Sequence, residues 1–337
     1  EPDVLEGGEP SRFIHQLRND PRMSGFIQHN LAAPESGIAP TLLKAIDKSS
    51  SLLEYLGRKA STGFSPTSLS RYIEDPLEFY LKTILGIHDT LLLEETIAAN
   101  TFGNVIHETL ELLYLPLLGQ ILTPEHLRQM KNQVPEVLSG AFEKHYLKGS
   151  KAGGKNLIAL SVMGKYIELF LEIELKRIKL HEVRILGIEK KLTRLLNNVP
   201  GCDFPVRIKG TVDRVETVDG ALHIIDYKTG RVEPANLRIT DWQSLREDPK
   251  KSKAFQVMCY AWLMQQEIEE PDSNFRAGVF SFKNIRSEFQ WFGIKTAPNK
   301  QDEVINRKVL LHFEETLKSL IAELFNATIP IEPIERI

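Results

Sequence analysis

The sequence predicts an α/β fold of the α+β type, in which helices flank a central mixed sheet. Three observations predict it. Residues 183–228 carry three consecutive β-rich runs, two of them joined by a tight-turn dipeptide. Long stretches before these runs repeat apolar residues at the helical period. After them, a helical stretch, further strands and a last helix follow, an order that builds layers around one sheet.

Taken in order, residues 1–63 are broken by Pro21, Pro34 and Pro40 and read as an extension without a large core of its own. Residues 65–87 open with the N-cap candidates Ser65 and Thr67 and stay helical until Asp75-Pro76, after which a second short helix carries Phe79 and Tyr80. Residues 100–118 form an amphipathic helix through Phe102, Ile106, Leu110, Leu113 and Leu117. Two more helices, 123–147 and 156–181, flank a basic loop, so a helical insertion spans about 120–181. Strands follow at 183–196, 205–218 and 221–228, then a helix over about 250–267. Strands near 275–283 and 288–295 and a helix over about 301–326 complete the domain, 64–337.

Composition excludes several classes. The 337 residues are 42% apolar and 26% charged, with a net charge of −3, so any case for nucleic-acid binding is local rather than global. No apolar run reaches membrane-spanning length. Cys202 and Cys259 fit neither a disulfide framework nor a CxxC metal site, and suit a reducing, cytoplasmic compartment. The chain starts with Glu1 and carries no signal-peptide pattern, which reads as a piece of something longer.

The chemistry concentrates at 210–230. Asp219-Gly220 suits a type I′ turn, since both residues tolerate positive φ. Pairing Val218 with Ala221 puts Val215 opposite Ile224 and Asp213 opposite Asp226. Lys228, two residues beyond Asp226, points to the same face. Opposed carboxylates repel unless something positive lies between them. Lys228 alone could neutralise them on a solvated strand end; the favoured reading is a divalent cation between the carboxylates, with Lys228 facing a substrate anion.

Other motifs divide. "GSKAGGKN" (149–156) has phosphate-loop spacing, but Asn156 stands where a Mg²⁺-binding hydroxyl is needed and no buried strand precedes it. "HETLE" (107–111) lacks the second histidine of a zinc-protease helix. His107 itself follows Gly103 by one turn and reads as a metal ligand or as a hydrogen-bonded core histidine. Gln256 and Tyr260 share a helix face at i, i+4. Lys250, Lys251 and Lys253 read as a solvated charge run or as contacts to backbone phosphates.

Together these residues resemble the RecB/AddB-like branch of the PD-(D/E)XK nuclease superfamily. The resemblance rests on an ordered set over about 64–326: Gly103 with His107, Gly210 with Asp213, Asp226-Tyr227-Lys228, and Gln256 with Tyr260. "GEPSRFIHQL" (8–17) is similar to the tail of the helicase-like region preceding such nucleases, and 65–87 to their opening segment. The resemblance implies a restriction-endonuclease-like core and metal-dependent hydrolysis of DNA, most simply as an exonuclease in double-strand-break repair and recombination. It implies an AddA/RecB-like helicase subunit as partner and no membrane.

On the same basis, Asp213, Asp226, the Tyr227 carbonyl and His107 hold Mg²⁺ or Mn²⁺, while Lys228, Gln256 and Tyr260 act on the water or position the strand. Glu189 is a second-rank candidate for a metal or water contact, with a surface salt bridge as the equal alternative. Many AddB-like nucleases hold an iron–sulfur cluster through a cysteine before the Pro of the opening segment and three near the C-terminus. Here Asp75 takes the first position and no cysteine follows Cys259, so no cluster is expected. A catalytically silent DNA-binding module and a phosphodiesterase acting on RNA are the rival readings.

Overall fold

In a computed structural model, the described residues are 12–23, 45–87, 98–146, 155–268, 273–297 and 300–333. They contain ten α-helices and eight strands. The loop containing most of "GSKAGGKN" and the first residues of "GEPSRFIHQL" lie outside them. The chain divides into two units, Glu1–Leu43 and Lys44–Ile337. The first holds α1 (Arg12–Asn19).

The second unit begins with α2 (Ser50–Thr62), capped by the Ser49 hydroxyl, with Leu52, Leu56 and Ala60 buried. Next come α3 (Pro66–Glu74) and α4 (Pro76–Phe79). Ser65 caps α3, its side chain accepting from the Ser68 N–H. The Asp75 carboxylate caps α4, accepting from Leu77 N and Glu78 N at 2.9 and 3.1 Å. The position where the resembling nucleases carry a cysteine thus has a local structural task here. A single π-helical turn, Tyr80–Ile84, continues from α4.

Three long helices follow: α5 (Ala99–Tyr114), α6 (Pro124–His145) and α7 (Lys155–Arg177). The hairpin ribbon is β1 (Val183–Leu196), β2 (Val206–Val218) and β3 (Ala221–Lys228). The turn between β2 and β3 has φ of +50° at Asp219 and +85° at Gly220, as a type I′ turn requires. After it come β4 (Arg238–Ile239), α8 (Ser244–Glu247) and α9 (Ser252–Met264). The chain then forms β5 (Phe275–Ser281), β6 (Phe289–Trp291), β7 (Gly293–Ala297), β8 (Lys300–Asp302) and α10 (Arg307–Phe325).

The main sheet has strand order β1-β2-β3-β5-β6. Only β3 and β5 run parallel, joined by the segment that contains α9, so the sheet is mixed as expected. One core packs α2, α3, α9 and α10 residues such as Leu56, Leu69, Trp262 and Phe313 against Val212, Val215 and Ile224. The other packs α5, α6 and α7 through Ile106, Met130 and Phe170 against Ile225, Tyr227 and Phe280.

Two C-terminal expectations need correction. The strand near 288–295 is two strands in different sheets: β6 joins the main sheet and β7 joins a small β4-β7-β8 sheet. Buried Phe292 lies between them, its N–H donating to the Ala277 carbonyl. The last helix starts at Arg307 rather than near 301, because Lys300–Asp302 is a strand and the Asn306 side chain caps the helix at Val309 N.

Candidate active site

The β2–β3 ladder keeps the register read from the turn, with Val218 against Ala221, Val215 against Ile224 and Arg214 against Ile225. One step further, Asp213 comes level with Asp226, and a side chain replaces the backbone ladder. Asp213 Oδ2 accepts from the Tyr227 N–H at 2.6 Å. Asp213 is 8% exposed and Asp226 3%. Lys228 Nζ lies 2.7 Å from Asp226 Oδ2, so both groups reach the same place.

A third carboxylate enters from β1. Ile188 pairs with Arg214 and Lys190 with Val212, which leaves Glu189 beside Asp213. Its φ is +46°, a left-handed conformation uncommon for a residue with a Cβ, and a register shift at Ile185/Gly187 precedes it. Glu189, Asp213 and Asp226 therefore stand in a row across three neighbouring strands.

His107 reaches this row from α5. Its Nε2–H donates to the Tyr227 carbonyl at 3.1 Å, while Nδ1 lies 3.5 Å from Asp213 Oδ1 and 3.9 Å from Glu189 Oε1. A Cβ on Gly103, one turn earlier, would only touch Thr229 Oγ1 at 3.4 Å, so close approach does not account for that glycine.

Electrostatics follow from this crowding. Burial alone would lower the His107 pKa, but Asp213, Glu189 and the charge on Asp226 raise it to about 10. Burial, then the Asp213 charge, push the Asp226 carboxyl up, against the pull of Lys228. For Lys228, burial pulls down and Asp226 pulls up, with a net rise. Two cationic side chains thus stand against an acidic row in which the buried Asp226 carboxyl is the one pushed up.

That is the donor set of a hard divalent cation. Among the described residues, His107, Glu189 and Asp213 offer ligand atoms all within 4.8 Å of one another. The carboxylates, the nearby Tyr227 carbonyl and one imidazole suit Mg²⁺ or Mn²⁺. Glu189, ranked below the others by sequence, belongs to this group. Its signal lay in its place on the strand preceding the hairpin, but a bulge had to bring it level with Asp213.

Gln256 and Tyr260 form a second tier. Gln256 Nε2 donates to Tyr260 Oη at 3.0 Å and to Thr67 Oγ1 at 3.2 Å, tying α9 to the start of α3. Burial, then the charges on Asp226 and Asp213, keep the Tyr260 phenol protonated well above its usual range. A Cβ on Gly210 would meet Pro66 and Tyr260 at 3.1 Å, so that glycine lets both pack on β2. Of the lysines proposed for phosphates, Lys251 donates to the Ala235 carbonyl at 2.7 Å and Lys253 pairs with Glu74 at 2.9 Å. Only Lys250 is exposed. Lys251 thus reaches the loop before α9 and Lys253 reaches α3.

Sequence reasoning missed a buried ion network on the opposite face of the ribbon. Arg214, fully buried, pairs with Glu174 at 2.6 Å and with Glu216, while Arg177 bonds both glutamates. Arg214 also donates to the Tyr227 phenol at 3.4 Å and lies over the Tyr114 ring. The alternation of Arg214 and Glu216 about Val215 was the available signal, but it reads equally as a solvated face.

The model of the PD-(D/E)XK nuclease superfamily matches residues 63–336. No curated protein sequence matches the chain. A solved structure described as the crystal structure of SSO0001 is 14% identical over 72% of this chain and 83% of that one, with a TM-score of 0.19, a value at which whole folds do not superpose.

Proposed function

The chain belongs to the PD-(D/E)XK nuclease superfamily, and from that premise we propose that it is a metal-dependent deoxyribonuclease whose centre is the row Glu189, Asp213 and Asp226. The observation that carries this reading is the meeting of three acidic side chains, His107 and Lys228 at one point of the sheet. His107, Glu189 and Asp213 would hold the divalent cation, with Asp226 and the Tyr227 carbonyl beside them. When bound, Mg²⁺ or Mn²⁺ supplies Lewis-acid polarisation of the phosphate and a more acidic water.

The chain's own residues do the rest. Lys228 stays cationic beside Asp226 and donates to a non-bridging phosphate oxygen, offsetting the negative charge that grows as water attacks phosphorus. The water oxygen bonds to phosphorus, the P–O ester bond breaks, and the proton passes to the departing oxygen. Gln256 holds the Tyr260 phenol toward the strand being cut. We read the activity as exonucleolytic, in the cytoplasm, in double-strand-break repair beside an AddA/RecB-like helicase subunit. The ordered motif set of the RecB/AddB-like branch supports that context.

Labelled linear DNA, circular DNA and RNA, each with Mg²⁺, Mn²⁺ or EDTA, test this. Linear DNA should be cut only with metal. Asp226→Asn should lower the rate about a hundredfold or more, the scale of losing one preorganised charged group. Its melting temperature should hold or rise, because the ionised carboxylate is unfavourable where it sits. Wild-type rates in Asp226→Asn would sink the assignment.

A further inference from the structure

Tyr227 lies between Asp226 and Lys228 in the chain, and those two point to the face of the carboxylate row. Its own ring therefore points to the reverse face of the sheet. The β2–β3 register stops at Arg214 and Ile225. Beyond it, the Tyr227 main chain bonds side chains instead. Its N–H donates to Asp213 Oδ2 at 2.6 Å, and its carbonyl accepts from His107 Nε2 at 3.1 Å. One residue's main chain thus aims two of the candidate metal ligands. β5 fixes the far edge of this strand, where Tyr227 pairs with Phe280. On the edge facing Asp213 the ladder has ended, so the Tyr227 side chain is the remaining anchor.

That side chain is buried and packs edge-on against Phe170 of α7, with ring centroids 5.6 Å apart. Its phenol accepts from Arg214 Nη1 at 3.4 Å. Arg214 is held in turn. Its Nη2 lies 2.6 Å from Glu174 and pairs also with Glu216, and Arg177 bonds both glutamates. Tyr114 donates to Glu174 at 3.4 Å and lays its ring 4.6 Å from the guanidinium. Arg214, Glu174 and Glu216 are fully buried. Such a network is a poor source of net stability, because desolvating its charges offsets much of their attraction. What it does supply is direction, since the planar guanidinium fork fixes angles as well as distances.

We infer that Arg214 and the Tyr227 phenol are positioning residues for the metal centre. The ion network on the reverse face fixes the Tyr227 ring, and the Tyr227 main chain fixes Asp213 and His107 on the other. The inference rests on the reading of the carboxylate row as a metal centre, and adds to it the residues that hold its geometry from behind. The path is short because faces alternate along each strand: Arg214 follows Asp213, and Tyr227 follows Asp226. Through Glu174 and Arg177, α7 thereby takes part in placing ligands that it does not itself supply.

Calorimetric titration with Mn²⁺, without DNA, reads the metal centre apart from cleavage. Tyr227→Phe keeps the ring and removes only the phenol oxygen. Arg214→Lys keeps the charge but loses the fork that spans the glutamates and the phenol. Each should weaken Mn²⁺ affinity about tenfold, the lower end of what losing a group behind a metal ligand costs. Arg214→Lys/Tyr227→Phe should bind no more weakly than Arg214→Lys alone, because both changes break one link. On linear DNA at saturating Mn²⁺, Tyr227→Phe should keep its KM for DNA and lose about tenfold in kcat, since a misplaced centre slows the chemical step without loosening the strand. Leu138→Ala, which opens the same core from α6, should lower the melting temperature and leave Mn²⁺ affinity as in wild type. Wild-type affinity in Tyr227→Phe would overturn the inference and leave the network to packing alone. So would losses that multiply in the double variant, or an equal loss in Leu138→Ala. The expected Mn²⁺ affinities in a protein that cuts no DNA would overturn the nuclease reading and leave this one standing. Absence of Mn²⁺ binding in the wild type would overturn both.

Discussion

His107 stands between two carboxylates and a carbonyl, and each could explain it differently. As a ligand it must give up a proton, because only neutral imidazole coordinates. Its acidic neighbours hold that proton up to about 10. An unperturbed imidazole would lose metal binding near pH 6.5; these neighbours move that loss upward. Metal affinity should therefore climb as pH rises and level off at about 10. The metal-free protein shows the converse. Stability from the charged imidazole is fully present below 6.5 and lost as pH rises through about 10. Calorimetric titration should give weaker metal binding in His107→Ala, with a flatter pH dependence and a larger loss for Mn²⁺ than for Mg²⁺. Equal affinity with a lower melting temperature would reduce His107 to a packing residue.

At the scale of elements, the β2–β3 ribbon carries charge on both faces for different ends. Asp213 serves one face; Arg214 and Glu216 serve the other, where α7 supplies Glu174 and Arg177. Removing one partner from a fully buried network strands the others. Arg214→Met should cost about 3–5 kcal/mol in urea unfolding, far more than an exposed arginine would. Burial pushes the Glu216 carboxyl up, but Arg214 and Arg177 hold it down to about 2. Its contribution is therefore present above 4.5 and lost as pH falls from there through about 2. An acid titration of the urea midpoint checks this, since Glu216→Gln should lose that acid-side slope.

At the scale of the whole molecule, the compact unit starts at Lys44, nineteen residues before the family match begins. The added stretch is sewn to the C-terminal end. Ile46 bridges Ile331, and buried Lys48 donates to the Glu323 and Asn326 carbonyls at 2.8 and 3.3 Å, closing α10. Burial draws the Lys48 ammonium down to about 8. Leu52 and Leu56 of α2 enter the same core as Val212 and Val215. A protein trimmed to begin at Lys44 should keep its melting temperature. One trimmed to begin at Gly63 should lose about 10 °C or more, since burying each such leucine contributes ~2–5 kcal/mol. Thermal melts of the two trimmed proteins decide it.

What the sequence determined by itself is local. The Asp219-Gly220 turn set the β2–β3 register, and that register brought Asp213 level with Asp226. The bounds 183–196 and 221–228 are those of β1 and β3, and Asp75-Pro76 divides α3 from α4 as the missing N–H and the capping carboxylate require. Turn chemistry and apolar period act within a few residues, so one chain suffices to read them. What tertiary structure decided depends on partners distant in sequence. A bulge in β1 brings Glu189 level with Asp213, α7 turns Arg214 and Glu216 from a solvated face into a buried network, and α3 gives Lys253 an ion-pair partner in Glu74. The start of the compact unit was settled by α2, whose leucines read as a linker until a core meets them. Charge and burial are properties of what lies across a contact, and only the fold chooses that neighbour.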